Sequence, residues 1–305
     1  MNIRLSKIGL GCVTFGREID ESQSFAIMDY AAEHGITVFD TAEAYGGGAS
    51  ERIIGDWLRS RGMVGKIAVV TKVFKKLTKE RIKEALSQSR ERLGLDVIDG
   101  YLLHFFDETT PLEESLEGLT IAAESGVVRV AGCSNFSAEQ LNRALDLSEQ
   151  KGLVRFGLVQ PIYNLTARDI EQDMLWDAAE RRVEVVTFSP LGAGFLCGKY
   201  SASRETIPKG SRFDVIPGHV DIYFKPENFR IVEKLRAKSE ETGLSMSRLA
   251  MGWVMANPMI SSVLVGARSV DQVAAAVETL NSPLPSDLKR EMDRWTGAEE
   301  AGGLS

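Results

Sequence analysis

The sequence predicts an α/β protein that folds as a single (β/α)8 TIM barrel. Apolar segments of strand length alternate with segments of helical periodicity eight times along the chain, and several of the strands end in an ionisable residue. Strict alternation of this kind is typical of parallel strands joined by right-handed crossovers, and 305 residues suffice for one such barrel. We therefore expect one domain over residues 1–305, with a long loop after the seventh strand and a C-terminal helical tail.

The predicted strand–helix units follow one another without a change in composition that would mark a second domain. Local signals support several helix starts; Ser137, for example, is followed three residues later by Gln140, which is typical of a capping box. The predicted strands are residues 7–12, 37–40, 67–72, 97–104, 129–133, 156–160, 184–189 and 260–265. The predicted helices are residues 21–33, 50–61, 78–93, 111–125, 137–149, 169–181, 226–242 and 270–280.

The longest predicted connection, residues 192–225, combines glycine, proline, arginine and aromatic residues. This composition favours a lid or a binding loop, and a disordered insertion is the alternative.

Composition argues against several classes of partner. The chain has 36 basic and 43 acidic residues, a net charge of −7, and no basic block, so we expect neither nucleic acid nor a membrane as a partner. The three cysteines are too few and too scattered for a disulfide framework or a zinc site. The chain starts without the apolar core of a signal peptide, and no apolar run is long enough to span a bilayer. We therefore expect a cytoplasmic protein in which Cys12 and Cys133 are small buried hydrophobes; the oligomeric state stays open.

A glycine-containing segment near the start imitates a dinucleotide-binding fingerprint. Residues 9–14 follow an apolar strand, and Asp40 ends the next one. The third glycine position is occupied by Thr14, however, and the helix does not begin until about Glu21. Eight uniform units also exceed a doubly wound domain, so a Rossmann fold is disfavoured.

Four ionisable side chains come at or just after the ends of three successive strands: Asp40 and Tyr45, then Lys72, then His104. In a parallel barrel the carboxyl ends of all strands open onto one face, so these groups are expected around one mouth. Each residue alone has an ordinary structural explanation, as a cap, a rim residue, a solvated strand end or a buried histidine. Their combination favours a catalytic site.

The chemistry of this combination is acid catalysis. A tyrosine phenol has a pKa of about 10 and needs help to protonate an oxygen at neutral pH. The ammonium of Lys72 can lower the pKa of Tyr45 by stabilising the phenolate, and Asp40 can supply the counter-charge that a buried lysine needs. His104 can donate a hydrogen bond that orients the substrate oxygen or can help to relay the proton. Glu43 has no role in this scheme and is expected to be a solvated loop residue.

From about Lys7 to Leu280 the chain resembles the aldo-keto reductases, a family of (β/α)8 barrels that reduce carbonyls with a nicotinamide cofactor. The matching motifs lie on many strands in order. They are residues 40–46, Thr71-Lys72, Leu103-His104, residues 126–129 with 132–136, Gln160 with Tyr163-Asn164, and residues 188–192.

The resemblance implies a role for each of the four ionisable residues. Tyr45 would be the general acid, Lys72 and Asp40 would tune its pKa, and His104 would orient the substrate. The chemistry implied is reduction of an aldehyde or ketone to an alcohol by hydride transfer from NADPH, with no metal.

The resemblance also implies a cofactor site. Ser134, Asn135 and Gln160 would hold the nicotinamide carboxamide, and Phe188, where many relatives have tyrosine, would stack on the ring. The residues implied at the pyrophosphate are Ser189, Leu191, Gly194 and Lys199. The residues implied at the adenosine phosphate are Gly266, Arg268 and Gln272.

Arg268 favours NADP(H) over NAD(H), because a guanidinium can form paired hydrogen bonds with a 2′-phosphate. The alternative is a helix-capping loop with a solvated arginine. Where many relatives hold adenine with Glu and Asn, this chain has Ala275 and Ala276, so NAD(H) is not excluded.

Hydrophobic residues in the predicted mouth loops can line a pocket for a small-molecule carbonyl, although ordinary loop packing explains them equally well. They are Val13, Phe15, Phe74, Phe105 and Phe106.

Two other functions remain as alternatives. The first is an NADP(H)-binding redox-sensing or channel-associated protein with little turnover, as in some relatives. The second is a metal-dependent barrel hydrolase, which is disfavoured because the predicted strand ends carry no cluster with ligand spacing.

Overall fold

The computed structural model describes residues 3–296 of the chain. Their contacts divide them into two compact units. The first contains the described residues up to Pro161, together with Asp169–Phe188 and Met259–Val277. The second contains Ile162–Arg168, Ser189–Pro258 and the described residues from Glu278 onward. The single domain expected over residues 1–305 stays a prediction, and residues 1–2 and 297–305 lie outside the described part.

The first unit holds a closed barrel of eight parallel strands, each paired with its neighbours in sequence and the last paired with the first. This confirms the predicted (β/α)8 fold, and every strand lies within two residues of its predicted bounds. The strands are β1 Ile8–Gly11, β2 Val38–Asp40, β3 Ala68–Val73, β4 Ile98–Leu103, β5 Val128–Ser134, β6 Leu158–Gln160, β7 Glu184–Thr187 and β8 Ser262–Gly266.

Helices connect the strands and continue beyond β8. They are α1 Glu21–Glu33, α2 Ala49–Ser60, α3 Lys79–Leu93, α4 Leu112–Glu124, α5 Ala138–Lys151, α6 Met174–Glu180, α7 Arg212–Val215, α8 Gly218–Tyr223, α9 Pro226–Thr242, α10 Met246–Met255, α11 Val270–Asn281 and α12 Ser286–Asp293. Short 3-10 turns cover Tyr45–Gly48, Asp169–Glu171, Gly192–Cys197, Arg204–Thr206 and Arg294–Thr296. Among the helices of residues 3–296, none is both long enough and apolar enough to cross a membrane.

Besides the short helices α7 and α8 inside the predicted long loop, two helices differ from the prediction. The continuous helix predicted over residues 169–181 is wrong: a 3-10 turn comes first, and α6 begins only after Asp173, whose side chain accepts a hydrogen bond from the backbone N–H of Met174. Helix α10 was not predicted. Every residue from Leu249 to Met255 is buried, so this helix lacks the one-sided apolar pattern by which an amphipathic helix is recognised.

Because side chains alternate between the two faces of each strand, the side chains inside the barrel form layers. Since successive side chains on a strand point to opposite faces, residues two apart share the interior face. One buried interior cluster contains Val38, Val70, Leu102, Val130, Leu158, Val186 and Leu264. Two residues further along these strands come Asp40, Lys72, His104, Gly132, Gln160, Phe188 and Gly266. The polar residues of the predicted site therefore lie directly above an apolar floor.

Two glycines are required by this packing. A Cβ at Gly9 would come within 2.6 Å of Leu264 Cδ2 and 2.9 Å of Val38 Cγ1, both of which belong to the apolar floor. A Cβ at Gly132 would come within 2.2 Å of the carbonyl oxygen of Leu158. Larger residues at either position would force the strands apart.

The second unit contains an aromatic cluster that organises the long connection after β7. The rings of Tyr200 and Phe213 are 4.5 Å apart, and Phe195 lies 5.0 Å from Phe229 and 5.9 Å from Tyr223. Residues 192–225 are thus built around packed rings, which contradicts the alternative of a disordered insertion. Their role as a lid or binding loop stays a prediction.

Candidate active site

A buried ion pair lies at the carboxyl ends of β2 and β3. The side chains of Lys72 and Asp40 are 0% and 4% exposed. Lys72 Nζ lies 2.6 Å from Asp40 Oδ1, 2.8 Å from Asp40 Oδ2 and 2.8 Å from the backbone oxygen of Thr41. An ammonium carries three N–H donors, and all three of these oxygens lie within hydrogen-bonding distance of it.

The surroundings keep Lys72 protonated. Burial alone would lower the pKa of Lys72, but the charges of Asp40 and Tyr45 and their hydrogen bonds outweigh burial and raise it. Burial raises the pKa of Asp40, while Lys72 and a hydrogen bond from Gln160 act in the opposite direction. In that bond Gln160 Nε2 donates to Asp40 Oδ2 at 2.8 Å, so the end of β6 supports the ion pair formed by β2 and β3.

Tyr45 lies beside this pair, at the start of the 3-10 turn after β2. Its ring centroid is 5.1 Å from Lys72 Nζ and 5.7 Å from the His104 ring, which it meets edge to face. The three glycines that follow all have left-handed φ values, of 57°, 60° and 86°, which glycine adopts with little strain. The structure therefore brings together all four ionisable residues named from the sequence.

The pKa of Tyr45 differs from the expectation. Burial raises it above the ordinary value of 10.0; the charge of Lys72 lowers it by less, and the charge of Asp40 raises it again. Lys72 thus lowers the pKa of Tyr45 as expected, but burial, whose extent the sequence does not give, has the larger effect. The phenol is therefore protonated at neutral pH, and Lys72 reduces the cost of forming the phenolate.

His104 is neutral in this environment. Burial, followed by the nearby charge of Lys72, lowers its pKa from 6.5 to about 3. Its ring is stacked on Phe105 at 4.8 Å and meets Phe74 edge to face at 5.5 Å. Within residues 3–296, its Nδ1 is buried and has no hydrogen-bond partner. A neutral imidazole of this kind can orient an oxygen but does not act as a cationic acid.

The predicted carboxamide-binding residues form a connected group at the ends of β5 and β6. Asn135 Nδ2 donates to the backbone oxygen of His104 at 2.9 Å and to Ser134 Oγ at 3.1 Å. Ser134 Oγ in turn donates to the backbone oxygen of Gln160 at 2.8 Å. Asn135 has a φ of 56°, which asparagine tolerates better than most residues. The amides are thus fixed in place by their neighbours.

The predicted pyrophosphate residues belong to the second unit. Ser189 and Gly194 have φ values of 57° and 87°, and the backbone N–H of Gly194 bonds to Leu191 O at 2.9 Å. A Cβ at Gly194 would lie 3.3 Å from Lys199 Nζ, so the glycine leaves room for this ammonium group beside the turn. A positively charged group beside a glycine-rich turn suits an anion.

The predicted adenosine-phosphate residues lie between the last residue of β8 and the first turn of α11, in the first unit. The backbone N–H of Arg268 donates to Gln272 Oε1 at 2.7 Å, so the side chain of Gln272 closes the turn before α11. Gly266 is exposed, and a Cβ there would meet no atom closer than 3.8 Å.

The predicted pocket residues divide into two groups. Phe105 is 45% exposed, and Val13, Phe74 and Phe106 are partly buried. Phe15 is 0% exposed and therefore packs inside the protein, so it presents no surface to an open pocket. Its sequence position in a mouth loop did not reveal this orientation.

Glu43 is not the solvated residue that was expected. Its side chain is only 9% exposed, and Oε1 lies 2.6 Å from both the backbone nitrogen of Phe74 and Arg81 Nη2. Because Arg81 comes 38 residues later, no local sequence signal links the two.

Cys12 and Cys133 are both fully buried, and burial raises the pKa of each thiol well above its ordinary value. This confirms that they are small buried hydrophobes. In the described part of the chain, no group of three or more His, Cys, Asp or Glu side chains is placed to hold a metal ion.

Comparison with known proteins identifies similar sequences over almost the whole chain. The model of the Aldo/keto reductase family matches residues 7–297. An uncharacterized oxidoreductase, YrpG of Bacillus subtilis (strain 168), is 30% identical over 95% of this chain and 92% of its own length. The aldo-keto reductase YhdN of the same organism is 31% identical over 94% of this chain and 89% of its own length.

Two further relatives bear on function. A probable voltage-gated potassium channel subunit beta of Oryza sativa subsp. japonica is 31% identical over 92% of this chain and 88% of its own length. The structure of a glycerol dehydrogenase from Gluconobacter oxydans superimposes with a TM-score of 0.80 and 26% identity, covering 97% of this chain and 92% of that one.

Titration of His104 tests the site's electrostatics. Because its folded pKa of about 3 lies below the ordinary 6.5, the unfolded chain binds the proton first, and stability falls as the pH drops below about 6.5. We expect the loss between about pH 7.5 and pH 5 to be smaller by roughly 2 kcal/mol in His104→Gln than in the wild type. Urea unfolding at the two pH values measures this difference. Equal losses, or a His104 ring signal in NMR that titrates near its ordinary pKa, would contradict it.

Proposed function

Because the chain belongs to the aldo/keto reductase family, we propose that it reduces an aldehyde or ketone to an alcohol with NADPH as the hydride donor. The family and its oxidoreductase relatives support a carbonyl reductase activity in general. The observation that carries the proposal is the buried Asp40–Lys72 pair beside Tyr45 and His104. These groups together supply a proton, support for the charge left behind, and a neutral hydrogen-bonding partner.

Tyr45 is the proposed proton donor. Its burial keeps the phenol protonated until a carbonyl oxygen gains negative charge and takes the proton. Lys72 then stabilises the phenolate, and every pKa unit by which it does so is worth about 1.4 kcal/mol. Asp40 holds Lys72 in place, since an unpaired ammonium would be costly at such a buried position.

His104 has a different role in this proposal. With a pKa of about 3 it is a neutral imidazole at neutral pH and does not act as a cationic acid, and an imidazolium would be repelled by Lys72. The neutral ring can donate one hydrogen bond to the carbonyl oxygen and so direct it towards Tyr45. The stacked ring of Phe105 restricts how His104 can turn.

The residues around the pair fit a nicotinamide. When bound, NADPH supplies the hydride that the carbonyl carbon receives. Ser134, Asn135 and Gln160 offer hydroxyl and amide groups suited to a carboxamide, and they are held by one another and by backbone oxygens. Gln160 gives its Nε2 to Asp40, which leaves Oε1 as an acceptor. Phe188 is only partly buried, so its ring can offer a stacking face.

Two further groups of residues are proposed to hold the charged parts of the cofactor. Ser189, Leu191, Gly194 and Lys199 are assigned to the pyrophosphate, where the ammonium beside the glycine turn supplies the counter-charge. Gly266, Arg268 and Gln272 are assigned to the adenosine phosphate. Gln272 would act there mainly by fixing the turn that carries Arg268.

A small-molecule carbonyl is the proposed substrate. Val13, Phe74, Phe105 and Phe106 are the pocket residues that keep accessible surface, and they favour an apolar group next to the carbonyl. The three cysteines are free, which suits a cytoplasmic location where thiols stay reduced.

A second candidate function rests on the relative from Oryza sativa, which is named as a probable voltage-gated potassium channel subunit beta. In this alternative the chain binds NADP(H), senses redox state or associates with a channel, and turns over little. Sustained NADPH oxidation in the presence of carbonyls, measured at 340 nm on the purified chain, would contradict it.

Replacing Tyr45 tests the proposed chemistry. Tyr45→Phe removes the proton and keeps the ring, so we expect turnover of aldehydes to fall by about 10²- to 10⁴-fold. Cofactor affinity, measured by quenching of protein fluorescence, should stay within about twofold of the wild type, because the phenol hydroxyl is not assigned to the cofactor. An unchanged rate with several aldehydes would refute Tyr45 as the acid.

Cofactor preference tests the assignment of Arg268. We expect NADPH to bind more tightly than NADH, and Arg268→Ala to weaken NADPH binding about tenfold or more while NADH binding changes little. Fluorescence titration with both nucleotides measures this, with Arg52→Ala, at an exposed site on α2, as the matched control. An equal loss for both nucleotides in Arg268→Ala would show that the arginine does not read the 2′-phosphate.

A further inference from the structure

Glu43 connects three segments of the mouth. It lies in the loop between Asp40 and Tyr45, and its backbone N–H donates to Lys72 O at 3.3 Å. Its Oε1 accepts a hydrogen bond from the backbone N–H of Phe74 at 2.6 Å, just after β3. The same oxygen lies 2.6 Å from Arg81 Nη2 in the first turn of α3.

This carboxylate is placed where charge-assisted bonds are effective. The side chain of Glu43 is 9% exposed, so water screens its bonds less than those of a surface pair. Helix α3 offers a direct comparison: Lys79 pairs with Glu117 at 2.6 Å, but these side chains are 38% and 39% exposed. An exposed pair of this kind contributes little.

The loop held by Glu43 needs an anchor. Immediately after Phe74, Lys75 and Lys76 have φ values of 62° and 50°, which are strained for residues with a Cβ. Beyond them, the backbone N–H of Leu77 donates to Asp107 Oδ2 at 2.9 Å. Carboxylates from the two neighbouring loops thus fix both ends of the strained pair, with Glu43 on the side of the catalytic tyrosine.

Phe74 transmits this anchoring to the site. Its ring meets His104 edge to face at 5.5 Å and Phe105 at 5.8 Å. The Phe74 ring thus forms an aromatic wall beside His104, and a shift of the Phe74 backbone would move this wall. Because the backbone N–H of Phe74 donates to Glu43, the position of the wall depends on this carboxylate.

We infer that Glu43 is a positioning residue that determines substrate specificity, by fixing Phe74 as the wall against which the apolar group of the carbonyl substrate packs. The inference rests on the proposed carbonyl reduction. Glu43 itself touches neither substrate nor cofactor. Its loss would affect substrates that reach Phe74 and spare those too small to do so.

The test compares two substrates across matched variants. Benzaldehyde carries a ring that can pack on an aromatic wall and propanal does not, so the informative quantity is the ratio of their kcat/KM values. For Glu43→Ala we expect this ratio to fall about tenfold through a higher KM for benzaldehyde, since a displaced wall loses contact with the ring. Glu43→Gln keeps an oxygen acceptor for Phe74 and should hold the ratio within about threefold. Glu117→Gln, which removes the exposed pair between α3 and α4, should leave the ratio unchanged.

Hydrogen exchange provides a readout that does not depend on activity. The amide of Phe74 should exchange faster in Glu43→Ala than in the wild type and in Glu43→Gln, while the urea midpoint shows whether each variant is folded. If the wild type reduces aldehydes and the ratio is unchanged in Glu43→Ala, this inference is wrong while the proposed function stands. An equal fall for both aldehydes would also overturn it, because a general structural defect behaves in that way. A wild type that reduces no carbonyl would overturn the proposed function, and this inference with it.

Discussion

The buried ion pair between Lys72 and Asp40 is the constraint on which the rest of the site depends. Removing two charges from water is costly, and the cost is recovered only if the partners and the remaining hydrogen bonds are in place. Here the ammonium has three oxygens within 2.8 Å, and the carboxylate also accepts a bond from Gln160. The strand ends that supply these groups must therefore stay in register, and Tyr45 and His104 take their positions around a charge that cannot move.

The barrel makes this arrangement possible because side chains along a strand alternate between its two faces. Residues two apart on a strand share a face, so an apolar floor on seven strands places the next interior residue of each strand at the mouth. Asp40 follows Val38, Lys72 follows Val70, and Gln160 follows Leu158 in this way. Burial is the largest influence on the pKa of Tyr45 and on that of His104. Burial shifts the two pKa values in opposite directions, raising that of Tyr45 and lowering that of His104, and in both cases it favours the neutral form.

Much of the fold and of the candidate site could be predicted from the sequence. The features that were missed depend on burial and on contacts between distant residues, which local sequence patterns do not reveal. Strands and the convergence of Asp40, Lys72 and His104 follow from periodicity and from the geometry of parallel strands. The direction of the Tyr45 pKa shift did not follow, since it depends on how deeply the ring is buried. Helix α10 was missed because it is apolar on every side, and the burial of Phe15 because a loop position does not determine orientation. The partnership of Glu43 with Phe74 and Arg81 joins residues that are more than thirty positions apart.

We propose that the charge of Lys72 supports Tyr45 as well as holding the fold together, and one double-mutant experiment separates the two roles. Lys72→Met leaves Asp40 buried and unpaired, so unfolding free energy should fall by roughly 3–5 kcal/mol, and aldehyde turnover by about a hundredfold or more. Adding Asp40→Asn removes the unpaired charge. Measured side by side, the double variant should recover most of the unfolding free energy and none of the turnover. Recovery of turnover together with stability would contradict a role for Lys72 in supporting Tyr45, because Lys72 would then act only as a structural partner of Asp40.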